Sequence, residues 1–269
     1  MKVVLFCGGL GLRLHPSTER VPKPLVEVGG KPIILLLMKY YSHFGHRDFV
    51  LCLGYKGEEI KKFFLNYEEC LSGDFVLSNG NKKEKLFKSD IEDWRITFAD
   101  TGSKSTIGDR LRAVQKYVDK DEIFLANYSD GLTDLYLPDL INYSKNQDKV
   151  ACMITVKPSV VFHYVSADKD GYVKKIQQLN QTSVRINGGF FVFKNEIFDY
   201  INPGEDLVYE PFQRLIKKRE LIAYKYDGFW ASLDTYKDKQ RLDELASHNS
   251  SFWEIWNNKP KLPSEKKHV

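Results

Sequence analysis

Lys2-Val3-Val4-Leu5-Phe6-Cys7-Gly8-Gly9-Leu10-Gly11-Leu12-Arg13-Leu14 joins an apolar run to a glycine-rich turn within thirteen residues. An unbroken apolar run of this length, closed by glycines, reads as a parallel strand buried on both faces. Three glycines at Gly8, Gly9 and Gly11 let the backbone turn tightly and bring its N–H groups against a ligand, and Arg13 can fork onto phosphate oxygens. Taken alone, the stretch fits either a phosphate-binding loop or a glycine-rich turn with a surface arginine. It is not the dinucleotide fingerprint, because Leu14 stands where G-x-G-x-x-G needs its third glycine. Nor is it a Walker A loop, since no G-K-[ST] closes it.

Outward from that turn, short β-rich runs alternate with helix-like segments. Strands are expected at Val3 to Cys7, Phe49 to Leu53, Ile96 to Ala99, Ile123 to Tyr128, Ala151 to Val156, Tyr172 to Ile176, Gly188 to Phe193 and Leu221 to Tyr226. Helices are expected at Ile33 to Ser42, Glu58 to Leu65, Leu111 to Tyr117, Leu135 to Lys145 with Asp134 as N-cap, Tyr209 to Lys218 and Tyr236 to His248. The alternation predicts an α/β fold with a mainly parallel sheet flanked by helices and a C-terminal helical segment. Residues 66–93 are polar and lysine-rich at Asn81 to Lys85, and read as an inserted lobe or oligomer contact in a single domain over 1–256. Residues 257–269 read as a flexible tail.

The chain has 269 residues, 42% of them hydrophobic and 28% charged, enough apolar material for a sizeable core and too much for a disordered chain. Forty basic residues against 36 acidic ones leave a formal charge of +4, too small and dispersed an excess to indicate nucleic acid. Four cysteines stand apart without a C-x-x-C pair, as free thiols in a reducing compartment would. The N-terminal apolar run is too short for a signal segment or membrane span, so a cytoplasmic protein without a membrane partner is expected.

Further along, Pro22-Lys23-Pro24 clamps one lysine between two prolines, in a segment expected to be extended. This is either a solvated turn or a fixed cation for a fixed anion. Its nearness to the glycine turn puts both at the same end of the first strand, where open α/β sheets bind ligands. Asp130 follows an apolar strand and Asp234 follows Gly228-Phe229-Trp230. By themselves such aspartates are more often turn or cap residues than metal ligands.

These segments together carry a resemblance. Gly8 to Leu14, then Pro22-Lys23-Pro24-Leu25-Val26-Glu27-Val28-Gly29-Gly30-Lys31-Pro32, Tyr128-Ser129-Asp130-Gly131, Ile186-Asn187-Gly188-Gly189-Phe190 and Asp227-Gly228-Phe229-Trp230 recur in the order seen in the nucleotidyltransferases that make nucleotide sugars. Within that family the chain is most similar to the cytidylyltransferases that act on glucose 1-phosphate. The resemblance spans nearly the whole chain and implies a Rossmann-like fold. It also implies a Mg²⁺-dependent transfer of a cytidylyl group from CTP to a hexose 1-phosphate, with pyrophosphate leaving, in a homo-oligomer.

It further implies roles for particular residues. Arg13 and Lys23 supply catalytic positive charge, and Gly8, Gly9, Gly11, Arg13, Arg110 and Asp130 bind the nucleotide. Asp130 and Asp234 hold the metal, while Asn187 and Gly188 bind the sugar. Three positions depart from the family pattern. Leu12 replaces a threonine of the loop, and Asp109 replaces a glycine. The E-K-P segment, whose lysine holds the sugar phosphate, has become Gln178 and Leu179. Arg185, or else Lys174 or Lys175, is expected to take that lysine's place. The missing lysine leaves room for a different acceptor phosphate, or for a nucleotide-binding regulatory subunit with little catalysis.

Overall fold

The computed structural model describes residues 1–9, 21–67, 75–78, 82–85, 90–159, 162–248 and 250–257. Its centre is an eight-stranded sheet of β1 (Lys2–Cys7), β2 (Asp48–Leu53), β3 (Arg95–Asp100), β4 (Ile123–Tyr128), β5 (Ala151–Val156), β6 (Ile186–Asn187), β7 (Phe191–Lys194) and β8 (Leu221–Lys225). Pairing runs β3-β2-β1-β4-β7-β5-β8, with β6 continuing the β7 side of β5. The β3-β2-β1-β4 half is parallel, β7 is antiparallel to both its neighbours, and β8 is again parallel to β5. The expected mainly parallel α/β sheet is therefore present, with one antiparallel line through it.

Alternation along each strand feeds two cores. Val3, Leu5 and Cys7 of β1 face one side with Phe49, Leu51 and Leu53 of β2, covered by α1 (Ile33–His43), α2 (Gly57–Leu65) and α4 (Leu137–Gln147). Val4 and Phe6 face the other side with Val50 and Cys52, under α3 (Ile107–Ala113) and α5 (Glu210–Lys218). Helix α1 is buried over most of its circumference because it also meets a third cluster, where Ile33 and Leu36 pack with Val26, Leu132, Leu233 and Trp253, and with Leu242 of α6 (Tyr236–Ser247). That third cluster is the floor on which the site is built.

Several expectations are corrected. The Tyr172 to Ile176 strand lies outside the main sheet, in a hairpin of His163–Ala167 with Val173–Gln178. The Gly188 to Phe193 strand is broken, since Thr155 pairs with Asn187 and Cys152 with Val192, which leaves extra residues around Gly188 to Phe190. Gly189 and Phe190 take φ of 72° and 49° there, and left-handed residues cannot continue a ladder. The Leu111 to Tyr117 helix starts earlier, at Ile107, because Thr106 caps it through the Asp109 N–H at 3.1 Å.

Asp134 is not an N-cap. Its carboxylate accepts from the Tyr226 hydroxyl and from the Phe229 N–H, and α4 starts only at Leu137, with Pro138 in its first turn. Lys23–Leu25 is a 3₁₀ turn instead of an extended segment, as Leu25 N–H closes on the Pro22 carbonyl at 2.9 Å. Proline's fixed φ suits a first helical turn, so Pro24 does not prevent it.

Within 66–93, Phe75–Ser78 pairs antiparallel with Lys82–Lys85, and residues 68–74, 79–81 and 86–89 lie outside the described residues. So does most of the 257–269 segment. Cys7, Cys52 and Cys152 are free and buried. Among the described residues, no helix is long and apolar enough to cross a membrane.

Candidate active site

The carboxyl ends of β1, β2 and β3 meet around one buried guanidinium. Arg110, on α3 and 3% exposed, donates to the carbonyls of Gly8 at 3.1 Å and Leu53 at 3.2 Å and to the Thr101 hydroxyl at 2.8 Å. Glycine is required above it. A Cβ on Gly8 would fall 2.0 Å from Arg110 Cζ, and one on Gly54 would fall 2.7 Å from a guanidinium nitrogen. Burial lowers the Arg110 pKa from its usual value, but an arginine stays charged. Arg110 thus sits beneath the start of the glycine loop and supports its backbone. Gly9 is exposed at the sheet edge, while Gly11 and Arg13 lie outside the described residues.

Asp130, just beyond β4, and Asp234 are far apart in sequence and are brought together by a short antiparallel ladder. Gly131–Thr133 pairs with Trp230–Ser232, Gly131 opposite Ser232, and the Leu233 N–H donates to the Asp130 carbonyl at 2.9 Å. Leu132, Ala231 and Leu233 alternate into the third core cluster, so the intervening residues face the site. The Lys23 ammonium lies between the two carboxylates, 2.5 Å from Asp130 Oδ2 and 2.8 Å from Asp234 Oδ1. Burial draws the Lys23 pKa down, yet the two carboxylates outweigh it and leave it above its ordinary value. The ammonium is therefore fully protonated at neutral pH.

Asp234 is held from behind by the start of α6. Thr235 and Asp238 form a reciprocal capping box, and Asp238 Oδ2 also receives the Thr235 N–H at 2.8 Å and the Asp234 N–H at 3.3 Å. On the far side of β4, Asn187 donates to the Tyr128 hydroxyl at 3.2 Å and accepts the Gly189 N–H at 2.9 Å. Asn127, 1% exposed, accepts the Phe190 N–H at 3.0 Å and fixes the break between β6 and β7. Trp230 Nε1 donates to the Gly188 carbonyl at 2.9 Å, and a Cβ on Gly188 would come within 2.7 Å of Ile154.

Arg185 stands at the carboxyl end of β5 with its fork engaged. It donates to the carbonyls of Thr155 at 2.8 Å and Tyr226 at 3.1 Å and pairs with Asp227. Lys174 lies on the exposed hairpin, 3.8 Å from Asp168. Asp109, the residue in place of the family's glycine, accepts the Gly204 N–H at 2.7 Å and ties α3 to the 202–205 loop.

The family model for nucleotidyl transferases matches residues 2–238. The chain belongs to the nucleotidyl transferase family. A glucose-1-phosphate cytidylyltransferase of Salmonella typhimurium is 38% identical over 258 residues, covering 95% of this chain and all of that protein. A mannose-1-phosphate guanyltransferase of Gibberella zeae is 28% identical over 98% of the chain and 69% of its own length. The crystal structure of HddC from Yersinia pseudotuberculosis superposes with a TM-score of 0.62 at 19% identity, over 90% of this chain and 98% of that one, a likeness of fold.

In this nucleotidyl transferase, then, Lys23, Asp130 and Asp234 converge in one contact. Gly8 and Gly9 stand at the neighbouring strand end, and Asn187 and Gly188 line the far side of β4. Among the described residues no group of three or more His, Cys, Asp or Glu side chains could hold a metal. Two converging carboxylates nevertheless suit Mg²⁺, which is bound through one or two carboxylates with substrate phosphates completing its oxygens.

Asp238, Thr235 and Asn127 were missed by sequence reasoning. Thr235-Tyr236-Lys237-Asp238 has the spacing of a capping box and was legible as one. Asn127 inside an apolar strand carries no local signal of the backbone it holds.

Proposed function

We propose that the protein transfers the cytidylyl group of CTP to a hexose 1-phosphate, glucose 1-phosphate first, releasing pyrophosphate and a CDP-sugar. The observation that carries this reading is the Lys23 ammonium set between Asp130 and Asp234 at the carboxyl edge of the sheet, in a chain 38% identical over 95% of its length to a glucose-1-phosphate cytidylyltransferase.

A sugar-phosphate oxygen forms a bond to the α-phosphorus while the bond from that phosphorus to the β-phosphate bridging oxygen breaks. The attacking monoester, with a second pKa of about 6, is already mostly dianionic at neutral pH, so no protein base is needed. What the chain supplies is alignment of two anions and positive charge against the charge shared by the α-phosphoryl group. Asp130 and Asp234 would hold Mg²⁺, which would supply positive charge against the phosphates of donor and acceptor.

Lys23 donates from a turn pinned by Pro22 and Pro24 and by buried Val26. The backbone at Gly8 and Gly9, held in place by Arg110, receives the nucleotide, with Arg13 as a further cation. Asn187 and the backbone at Gly188 bind sugar hydroxyls, positioned by Tyr128 and Trp230. Arg185 reaches the acceptor phosphate only by giving up Thr155 or Tyr226, so its first effect is to brace this side of the pocket.

Pyrophosphate release with CTP and a panel of sugar 1-phosphates tests the reading, and turnover is expected with glucose 1-phosphate. A folded protein that binds CTP but releases no pyrophosphate with any sugar 1-phosphate would show a binding role instead. Equal kcat/KM for CTP and UTP would overturn the choice of base.

A further inference from the structure

The ammonium of Lys23 lies where the metal pair of the proposed reaction would be occupied, and this arrangement has a consequence for the order of events. Two carboxylates from different parts of the chain, 20% and 36% exposed at their side chains, both pair with the Lys23 ammonium, whose own side chain is 15% exposed. The lysine's backbone is fixed. Pro22 and Pro24 flank it, Val26 N–H closes on its carbonyl at 3.1 Å, and Val26 is buried in the third core cluster. Its side chain is the part free to change partner.

We propose that Lys23 is a built-in counter-cation for Asp130 and Asp234, which keeps divalent ions from these carboxylates in the free protein and yields them only when a nucleoside triphosphate arrives. The inference rests on the metal role given to the two aspartates above.

The physical argument is an exchange of partners. A divalent ion entering alone would meet two carboxylates already neutralised in part, and a positive charge in hydrogen-bond contact with both. The two carboxylates by themselves offer it few oxygens in place of its water, and no third carboxylate or histidine converges there among the described residues. Displacing the ammonium without an anion to receive it would strand a half-buried lysine. A triphosphate removes both obstacles, because its oxygens accept the Lys23 ammonium and complete the ligands of the ion. Until then, the lysine also keeps the two like charges from repelling across the short Gly131–Thr133 and Trp230–Ser232 ladder.

The test is Mn²⁺ binding followed by the electron paramagnetic resonance signal of free Mn²⁺, with and without CTP and without any sugar phosphate, each CTP arm read against the same Mn²⁺ and CTP without protein. The wild-type protein is expected to leave Mn²⁺ free until CTP is added. Lys23→Met, and independently Lys23→Gln, whose amide still donates to carboxylates, are expected to bind Mn²⁺ at least tenfold more tightly than wild type in the absence of nucleotide. Adding Asp234→Asn to either should abolish that gain. Mn²⁺ alone should raise the melting temperature of both neutral variants and not that of wild type.

Nucleotide-free binding as tight in wild type as in the neutral variants overturns the proposal. If Asp130→Asn and Asp234→Asn lose Mn²⁺ in the presence of CTP while both Lys23 variants bind it no better than wild type without CTP, the metal role stands and the counter-cation role falls. If neither aspartate matters to Mn²⁺ binding with CTP, the metal role itself falls and takes this inference with it.

Discussion

At the scale of single residues, the site separates groups that face substrate from groups that hold those in place. In the proposed reaction Asp130 and Asp234 belong to the first kind. Changing either to asparagine keeps the volume and removes the charge, so turnover should fall by at least a hundredfold while the melting temperature moves by only a few degrees. Steady-state pyrophosphate release and a thermal scan check both halves of that expectation. Arg110 belongs to the second kind, since its fork points at carbonyls and a hydroxyl inside the protein. Arg110→Met would leave the Gly8 carbonyl and the Thr101 hydroxyl without this donor, at a cost of about 2–4 kcal/mol in denaturant unfolding. Gly8→Ala should mimic it from above, because the new methyl group and the guanidinium cannot share the space. An alanine variant with normal stability and an unchanged KM for CTP would show that the guanidinium moves aside freely.

At the scale of elements, the capping box of α6 fixes where Asp234 can be. Asp238→Ala should cost about 1 kcal/mol of stability as a lost cap. It should also lower kcat more than it raises the KM for CTP, because in the proposed reaction the carboxylate that drifts would hold the metal at the reacting phosphates. Equal loss in both constants would point to nucleotide binding instead. The elements were largely legible in the sequence, and the reasons differ between them. Strands β1, β2 and β4 are predominantly apolar runs and show themselves, as does α1 between Pro32 and Gly45. What escaped was set by contacts distant in sequence. Asp134 looks like an N-cap by its neighbours, yet Tyr226 and Phe229, more than ninety residues away, claim its carboxylate. The break between β6 and β7 depends on Asn127 in another strand, and the apolar run from Phe190 to Phe193 conceals it. The convergence of Lys23 with Asp130 and Asp234 was implied by resemblance alone, because nothing local relates positions 130 and 234 until a three-residue ladder pairs them.

At the scale of the whole molecule, burial of the sheet centre sets the response to alkali. Cys7 and Cys152 lie in the core on one side of the sheet and Cys52 in the core on the other. Burial pushes the Cys7 and Cys152 thiols up to about 12, and raises Cys52 well above its usual range. The unfolded chain loses these protons near pH 9 and the folded chain keeps them to about pH 12, so between those values the folded state binds more protons and stability falls as pH rises. Each fully shifted thiol contributes a slope of about 1.4 kcal/mol per pH unit in that window and nothing below it. Lys23 acts in the same direction, since its raised pKa means that its ion pairs persist through neutral pH and are lost only in alkali. The denaturation midpoint should therefore be flat from pH 7 to pH 8.5 and decline above pH 9. Cys7→Ala should reduce the slope of that decline even if the methyl-sized replacement lowers the midpoint itself. Site-resolved alkylation gives an independent check, because thiols protonated and enclosed in this way react only when the sheet opens. At pH 8 the three should be modified at the rate of global unfolding and together. Rapid modification of Cys7 in the folded protein, while Cys52 and Cys152 stayed protected, would mean that the end of β1 beneath the glycine loop opens separately from the rest of the sheet.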